Sequence, residues 1–251
     1  MQTFSKEEYL KKAPESVRWF EEEMKRRINN PAETMEKGKD FIQAAATAYK
    51  RKGWAGVMFE WVKFLYKDSE KKITEAFRQA GIQPDCTPGC YKCCKQLVAA
   101  TVAEVLLVAD WIANQKRQIR RQIMRGLDKW ESQYKKINLG DLDMSDLKNF
   151  EAATNHYQDC GFYCPFLGKG LCLIYHVRPM ACRNYYGVGT GGRCGERDAK
   201  GSIQTFPDLN LYFTWALNKI SPDMIQLCVF QMGVKTMLEA KLGRAWLDDR
   251  L

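Results

Sequence analysis

Residues 86–94 read CTPGCYKCC, four thiols within nine positions, interrupted by Pro88 and Gly89. Proline removes a backbone donor and fixes φ while glycine frees it, so this stretch reads as loop. Sulfurs this close along a loop turn inward onto one centre, as in zinc knuckles and ferredoxin-type clusters. Cys93 and Cys94 are neighbours whose side chains diverge, so each is expected to serve a different ion or a different site. A second group (Cys160, Cys164, Cys172, Cys182 and Cys194) lies in residues 158–206, beside nine glycines. Nearly fifty residues without regular patterning far exceed a normal connection of ~4–6, and a loop of that length needs a staple. Metal shared between the two loops would supply one, since structural zinc contributes on the order of 10 kcal/mol in small domains.

Outward from these loops the pattern is helical. Ser5 with Glu8 has capping-box spacing, Pro14 opens a helix to about residue 28, and Asn30-Pro31 opens another that stops at Gly53. Residues 54–66 (WAGVMFEWVKFLY) are apolar nearly all round, which suits a buried helix, and residues 69–80 form a further helix ending at Gly81. Thr101 with Glu104 is a second capping box, expected to open one long helix to about residue 136. Its apolar stripe is Ile119, Ile123, Leu127, Trp130, Tyr134 and Ile137. Its other face (Lys116, Arg117, Arg120, Arg121, Arg125, Lys129) is basic and reads as solvated. Helices are expected over 145–157, 208–220 and 222–242, the last with Cys228 in its core and Gly243 as its stop. No alternating strand pattern of useful length appears. The expectation is a mainly α fold, a helical bundle with two long cysteine-rich loops joined around a metal site. Its parts are residues 1–83 (N-terminal helices), 84–206 (metal-binding domain) and 207–251 (C-terminal helices on the same globule).

Composition narrows the class. At 45% hydrophobic and 27% charged, the 251 residues describe a globule with ample core and exclude a disordered or collagen-like chain. No run approaches the ~18 apolar residues of a membrane helix, and the polar opening MQTFSKEEYL lacks the core of a signal peptide. A cytoplasmic chain is expected, and there ten cysteines beside two histidines point to metal or thiol chemistry rather than disulfides. The net charge of +9 suggests an acidic protein or an electron-transfer partner; no nucleic-acid motif accompanies it.

The spacing Cys86-x3-Cys90-x2-Cys93-Cys94 is followed by Cys164-Pro165-Phe166-Leu167, Cys172-x-Ile174-Tyr175 and Arg178-Pro179-x2-Cys182-Arg183. Together they resemble the bacterial and archaeal CxxCxxCC cysteine-cluster family, a zinc- or iron-chelating domain often described as an iron–sulfur oxidoreductase. A related domain occurs in flagellin lysine N-methylases. The resemblance spans residues 86–183 and implies Cys90, Cys93, Cys94, Cys164, Cys172 and Cys182 as ligands. Cys86 would be a seventh, although its spacing is three residues where the family has two, and Cys160 or Cys194 an eighth.

An all-thiolate set suits iron–sulfur or tetrathiolate zinc. An iron–sulfur cluster, 4Fe-4S, is favoured, with zinc the alternative. Aromatic neighbours (Tyr91, Phe162, Tyr163, Phe166, Tyr175, Tyr185, Tyr186) would shield such a cluster, or simply pack the loops. Cys172-x3-His176 has ligand-like spacing, yet a loop histidine reads first as a surface residue. Arg178 and Arg183 flank Cys182 and would either offset thiolate charge and hold a cofactor or substrate, or lock the loop as ion pairs. GVGTGG (187–192) follows no expected strand and opens no helix, so it reads as close backbone approach rather than a nucleotide loop. The leading functional reading is an iron–sulfur protein in redox chemistry or cluster-dependent modification. The alternatives are a zinc-stapled interaction module and a protein lysine N-methyltransferase-like enzyme, the latter without a recognisable S-adenosylmethionine loop.

Overall fold

The computed structural model describes residues 39–87, 89–137, 147–190, 194, 202–205, 213, 217 and 227–249. The helix starts expected at Ser5, Pro14 and Asn30 lie outside them. The chain sorts into two compact units, one of Met1–Thr87 with Arg183–Ile225 and one of Pro88–Cys182 with Gln226–Leu251.

The first unit is built on α1 (Lys39–Ala80). Gly53 interrupts it at φ 61° and ψ −148°, a conformation that costs glycine little, and Gly81 ends the helix at φ 63°. The expected boundary between residues 66 and 69 does not exist. Lys67-Asp68-Ser69 contains no breaker, and the Asp68–Lys72 ion pair at 3.3 Å spans the next turn. As expected for residues 54–66, Met58, Trp61, Val62, Leu65 and Tyr66 are buried. Against this helix lies a short hairpin pair, β4 (Tyr185–Val188) antiparallel to β5 (Ser202–Thr205), with Tyr186 set edge-on to Phe77 at 5.2 Å.

The second unit holds β1 (Ala99–Thr101), α2 (Val102–Ala113), α3 (Arg117–Tyr134), α4 (Leu147–Asp159), β2 (Leu167–Gly168) and β3 (Leu171–Cys172). The four-residue α5 (Met180–Arg183) follows, its last residue belonging to the first unit, and β6 (Leu227–Val229) and α6 (Phe230–Asp249) close the second. Thr101 caps α2 with the full reciprocal box, as the sequence foretold. The single helix expected to residue 136 is instead two. At the break Asn114 Nδ2 donates to the Asp110 carbonyl, Gln115 Nε2 to that of Trp111, and Arg120 Nη1 to that of Ala113. Three side chains thus satisfy three terminal carbonyls that would otherwise demand another helical turn. Arg120 is consequently buried rather than part of the solvated basic face.

β1 pairs antiparallel with β6, Ala100 opposite Cys228. The helix expected over 222–242 therefore starts only at Phe230, whose N–H donates to the Val98 carbonyl, and it runs past Gly243 to Asp249. Cys228 sits on a strand, not in a helical core. The core between α2 and α6 holds Val105, Leu107, Val108, Ile112, Val234 and Leu238. On α3, Ile123, Leu127 and Trp130 of the expected stripe are buried, and Trp130 donates to Tyr157 Oη on α4 at 2.6 Å. Lys235 of α6 pairs with Asp128 and Glu131 of α3, each at 3.2 Å, and with Glu239.

Candidate metal centre

The first cysteine loop winds from Cys90 into a single 3-10 turn, Lys92–Lys95, that carries Cys93 and Cys94. The second loop meets it through the backbone. The N–H of Cys164 donates to the Cys94 carbonyl at 2.6 Å, which ties together residues seventy positions apart. From there the chain makes the tight β2–β3 hairpin, whose turn residues Lys169 (φ 51°) and Gly170 (φ 77°) are both left-handed, as a two-residue type I′ turn requires. The hairpin returns Cys172 opposite Leu167, and a short 3-10 turn (Tyr175–Val177) leads to Pro179.

The approach to Cys182 is held from below by α2. One carboxylate oxygen of Glu104 accepts from Thr101 N–H (2.8 Å) and Thr101 Oγ1 (2.9 Å), and the other accepts from Met180 N–H at 2.6 Å. Thr101, Glu104 and Met180 are each only 2% exposed. The capping box was legible in the sequence; its second bond, to a residue 76 positions downstream, was not. Glycines fix the remaining approach. A Cβ on Gly126 of α3 would stand 2.4 Å from the Pro165 carbonyl oxygen, so the residue after Cys164 rests directly on the helix backbone.

Cys93, Cys94, Cys164, Cys172 and Cys182 share one neighbourhood, in which Cys93, Cys164 and Cys172 all raise the pKa of Cys94 and of Cys182. Cys94 donates to Cys93, and together with the nearby Arg178 guanidinium this lowers the Cys93 thiol to about 7 despite its burial. The same bond holds the proton on Cys94, whose pKa rises, helped by burial and by Cys164. Burial pushes Cys164 up to about 12 and Cys182 well above the ordinary thiol value, and Arg178 opposes the rise only at Cys182. A nest of half-buried thiols beside the Arg178 cation therefore resists full ionisation unless a multivalent cation joins it. Among the described residues no three His, Cys, Asp or Glu side chains stand at the mutual distances of a finished metal site. No disulfide joins any of the ten cysteines.

The structure treats the remaining candidates separately. Cys90 is exposed at the head of the first loop. Cys160 packs beside the Trp130–Tyr157 cluster. Cys86 and Cys194 belong to the first unit, where buried Cys194 closes against Gly187. Arg183, also in that unit, pairs with Glu70 and lies 4.2 Å over the Tyr66 ring, the locking arrangement of the two considered for it. His156 and His176 are exposed. The glycine stretch begins inside a strand, with Gly187 and Val188 closing β4, where the sequence reading expected no strand. Beyond it Thr190 donates through N–H (2.5 Å) and Oγ1 (2.6 Å) to Asp85, which in turn donates its own N–H to Gly187.

Residues 85–205 match the CxxCxxCC family model, described as a "Putative zinc- or iron-chelating domain". The matched family is the one that the cysteine spacing resembles. The match covers just under half of the chain, includes nine of its ten cysteines, and supports metal binding by this region. No curated protein and no solved structure matches the chain. No helix among the described residues is long and apolar enough to cross a membrane.

Proposed function

We propose that the second unit binds an iron–sulfur cluster of the 4Fe-4S type through thiols drawn from Cys90, Cys93, Cys94, Cys164, Cys172 and Cys182, and that the protein works in redox chemistry. The observation that carries this reading is the backbone bond from Cys164 to Cys94, which brings two cysteine loops into one nest containing five half-buried thiols. The donor set is all sulfur, with no histidine within it, which fits thiolate-ligated iron. Five clustered thiols also exceed the four of a tetrahedral zinc site.

When bound, such a cluster supplies one-electron transfer. The surrounding residues act on charge and water. Arg178 offsets thiolate charge near Cys93 and Cys182. Phe166, fully buried against Phe230 at 5.3 Å, keeps water from the segment between Cys164 and Cys172. Glu104 holds the backbone two residues before Cys182. Cys86, Cys160, Cys194 and Arg183 stand outside the proposed set.

The test is anaerobic purification of the full chain with elemental analysis. Brown protein with broad absorbance near ~400 nm and matched iron and sulfide is the expected result, lost in Cys93→Ser and Cys164→Ser. Colourless protein holding stoichiometric zinc refutes the cluster and makes the site a structural staple.

A further inference from the structure

Among the described residues five large apolar side chains are exposed: Tyr91, Tyr163, Leu171, Tyr175 and Leu227. Four of these lie in the two cysteine loops, and three sit next to a thiol: Tyr91 follows Cys90, Tyr163 precedes Cys164, and Leu171 precedes Cys172. They are also neighbours in space. The Tyr91 and Tyr163 rings are 6.1 Å apart, the Tyr91 ring is 3.8 Å from where a Cβ on Gly170 would stand, and Leu171 lies equally near that position on Gly89. Glycines on both loops thus let the rings and the leucine close into one patch, with Leu171 59% exposed. A monomer has no folding reason to gather its exposed apolar groups at one rim.

The loop segments that carry the patch hold charge of one sign. Residues 86–103 and 160–182 contain no Asp or Glu, although at the chain's average frequency about five would fall there. They do contain Lys92, Lys95, Lys169 and Arg178. Lys95 is planted 5.0 Å over the Tyr163 ring, and Arg178 lies 4.2 Å over that of Tyr175. An apolar aromatic centre with a basic rim is the anatomy of a protein interface whose partner brings carboxylates. Two observations disfavour a nucleic acid in this place. The Tyr91 and Tyr163 rings are tilted towards one another and Lys95 and Arg178 already lie over Tyr163 and Tyr175, and the most exposed member is an aliphatic leucine, which offers no π-face.

We infer that the face formed by Tyr91, Tyr163 and Leu171, with Lys95 and Lys169 at its edge, docks an acidic protein directly over the thiol nest. The inference rests on the cluster reading only for the partner's being an electron carrier; the surface itself stands on exposure and charge. A plant-type [2Fe–2S] ferredoxin, which presents an acidic surface, serves as the probe in calorimetry with the full chain at low and at physiological salt, with iron measured on the same sample.

The expected result is binding that weakens with salt and falls about tenfold in each of Lys95→Glu and Leu171→Ser, with metal content retained. Leu227→Ser, an exposed leucine outside the two loops, is expected to leave binding unchanged. Iron-free protein that binds with the same dependence upholds the surface and refutes the cluster. Iron-loaded protein that fails to bind, or binds equally after both substitutions, overturns the surface. So does a 20-nucleotide single strand that competes with the ferredoxin and loses affinity in the same variants.

Discussion

Replacing Glu104 by Gln changes no volume and removes one acceptor from a buried bond network. The native carboxylate accepts from two backbone N–H groups on different segments, Thr101 at 2.8 Å and Met180 at 2.6 Å. A glutamine has one carbonyl oxygen, so its NH2 must face one of those donors. That leaves a backbone N–H buried without an acceptor, at a cost of ~1–3 kcal/mol, while the surviving bond loses its charge assistance. A central figure of about 2 kcal/mol corresponds to roughly a thirtyfold rise in local opening. Amide hydrogen exchange reads this residue by residue, with either the Met180 or the Thr101 amide expected to exchange about thirtyfold faster. If Met180 loses its partner, Cys182 two residues on is less well held, and metal content is expected to fall with it. Exchange at both amides within threefold of the native rate refutes the view that this carboxylate holds the last loop.

Gly126→Ala is expected to destabilise by about 1–3 kcal/mol in urea denaturation, because the new Cβ meets the Pro165 carbonyl, despite alanine's better helix propensity of about 1 kcal/mol; a gain in stability would mean that α3 and this loop do not touch. Tyr157→Phe leaves the buried Trp130 indole N–H without its acceptor and is expected to cost ~1–3 kcal/mol by the same measurement. In chelator-treated protein, alkylation of Cys93 should rise as pH climbs through about 7, while Cys164 stays protonated until about 12. Because the folded Cys93 pKa is depressed, its contribution to stability is full above the ordinary thiol value and fades as pH falls through 7. Cys94→Ala removes the hydrogen bond behind that depression, so a Cys93 profile unchanged in this variant would contradict the origin assigned to it.

What the sequence made legible was local. The capping box at Thr101 and Glu104, the breaks at Gly53 and Gly81, and the buried face of Met58, Trp61, Val62, Leu65 and Tyr66 each rest on interactions within a few positions, and the structure has them. What it hid was non-local or side-chain mediated. The break at Asn114 arises because side chains, including that of Arg120 six residues on, take carbonyls that the backbone would otherwise have bonded, and no glycine or proline marks it. Strand β6 is three residues long and exists only because β1, 128 positions earlier, pairs with it. In the candidate site, thiol types and spacings were readable. The hairpin that returns Cys172 and the reach of Glu104 to Met180 depend on contacts that spacing does not encode.

The pairing of β1 with β6 also has a consequence for biosynthesis. During translation every thiol of the proposed set has been made once residue 182 is joined, 45 positions before Leu227 begins the strand that completes their unit. Until Phe230 arrives, Phe166 lacks the ring it packs on and the backbone between Cys164 and Cys172 lacks its floor. Nascent chains therefore carry every thiol of the proposed set ahead of the strand and helix that complete their unit.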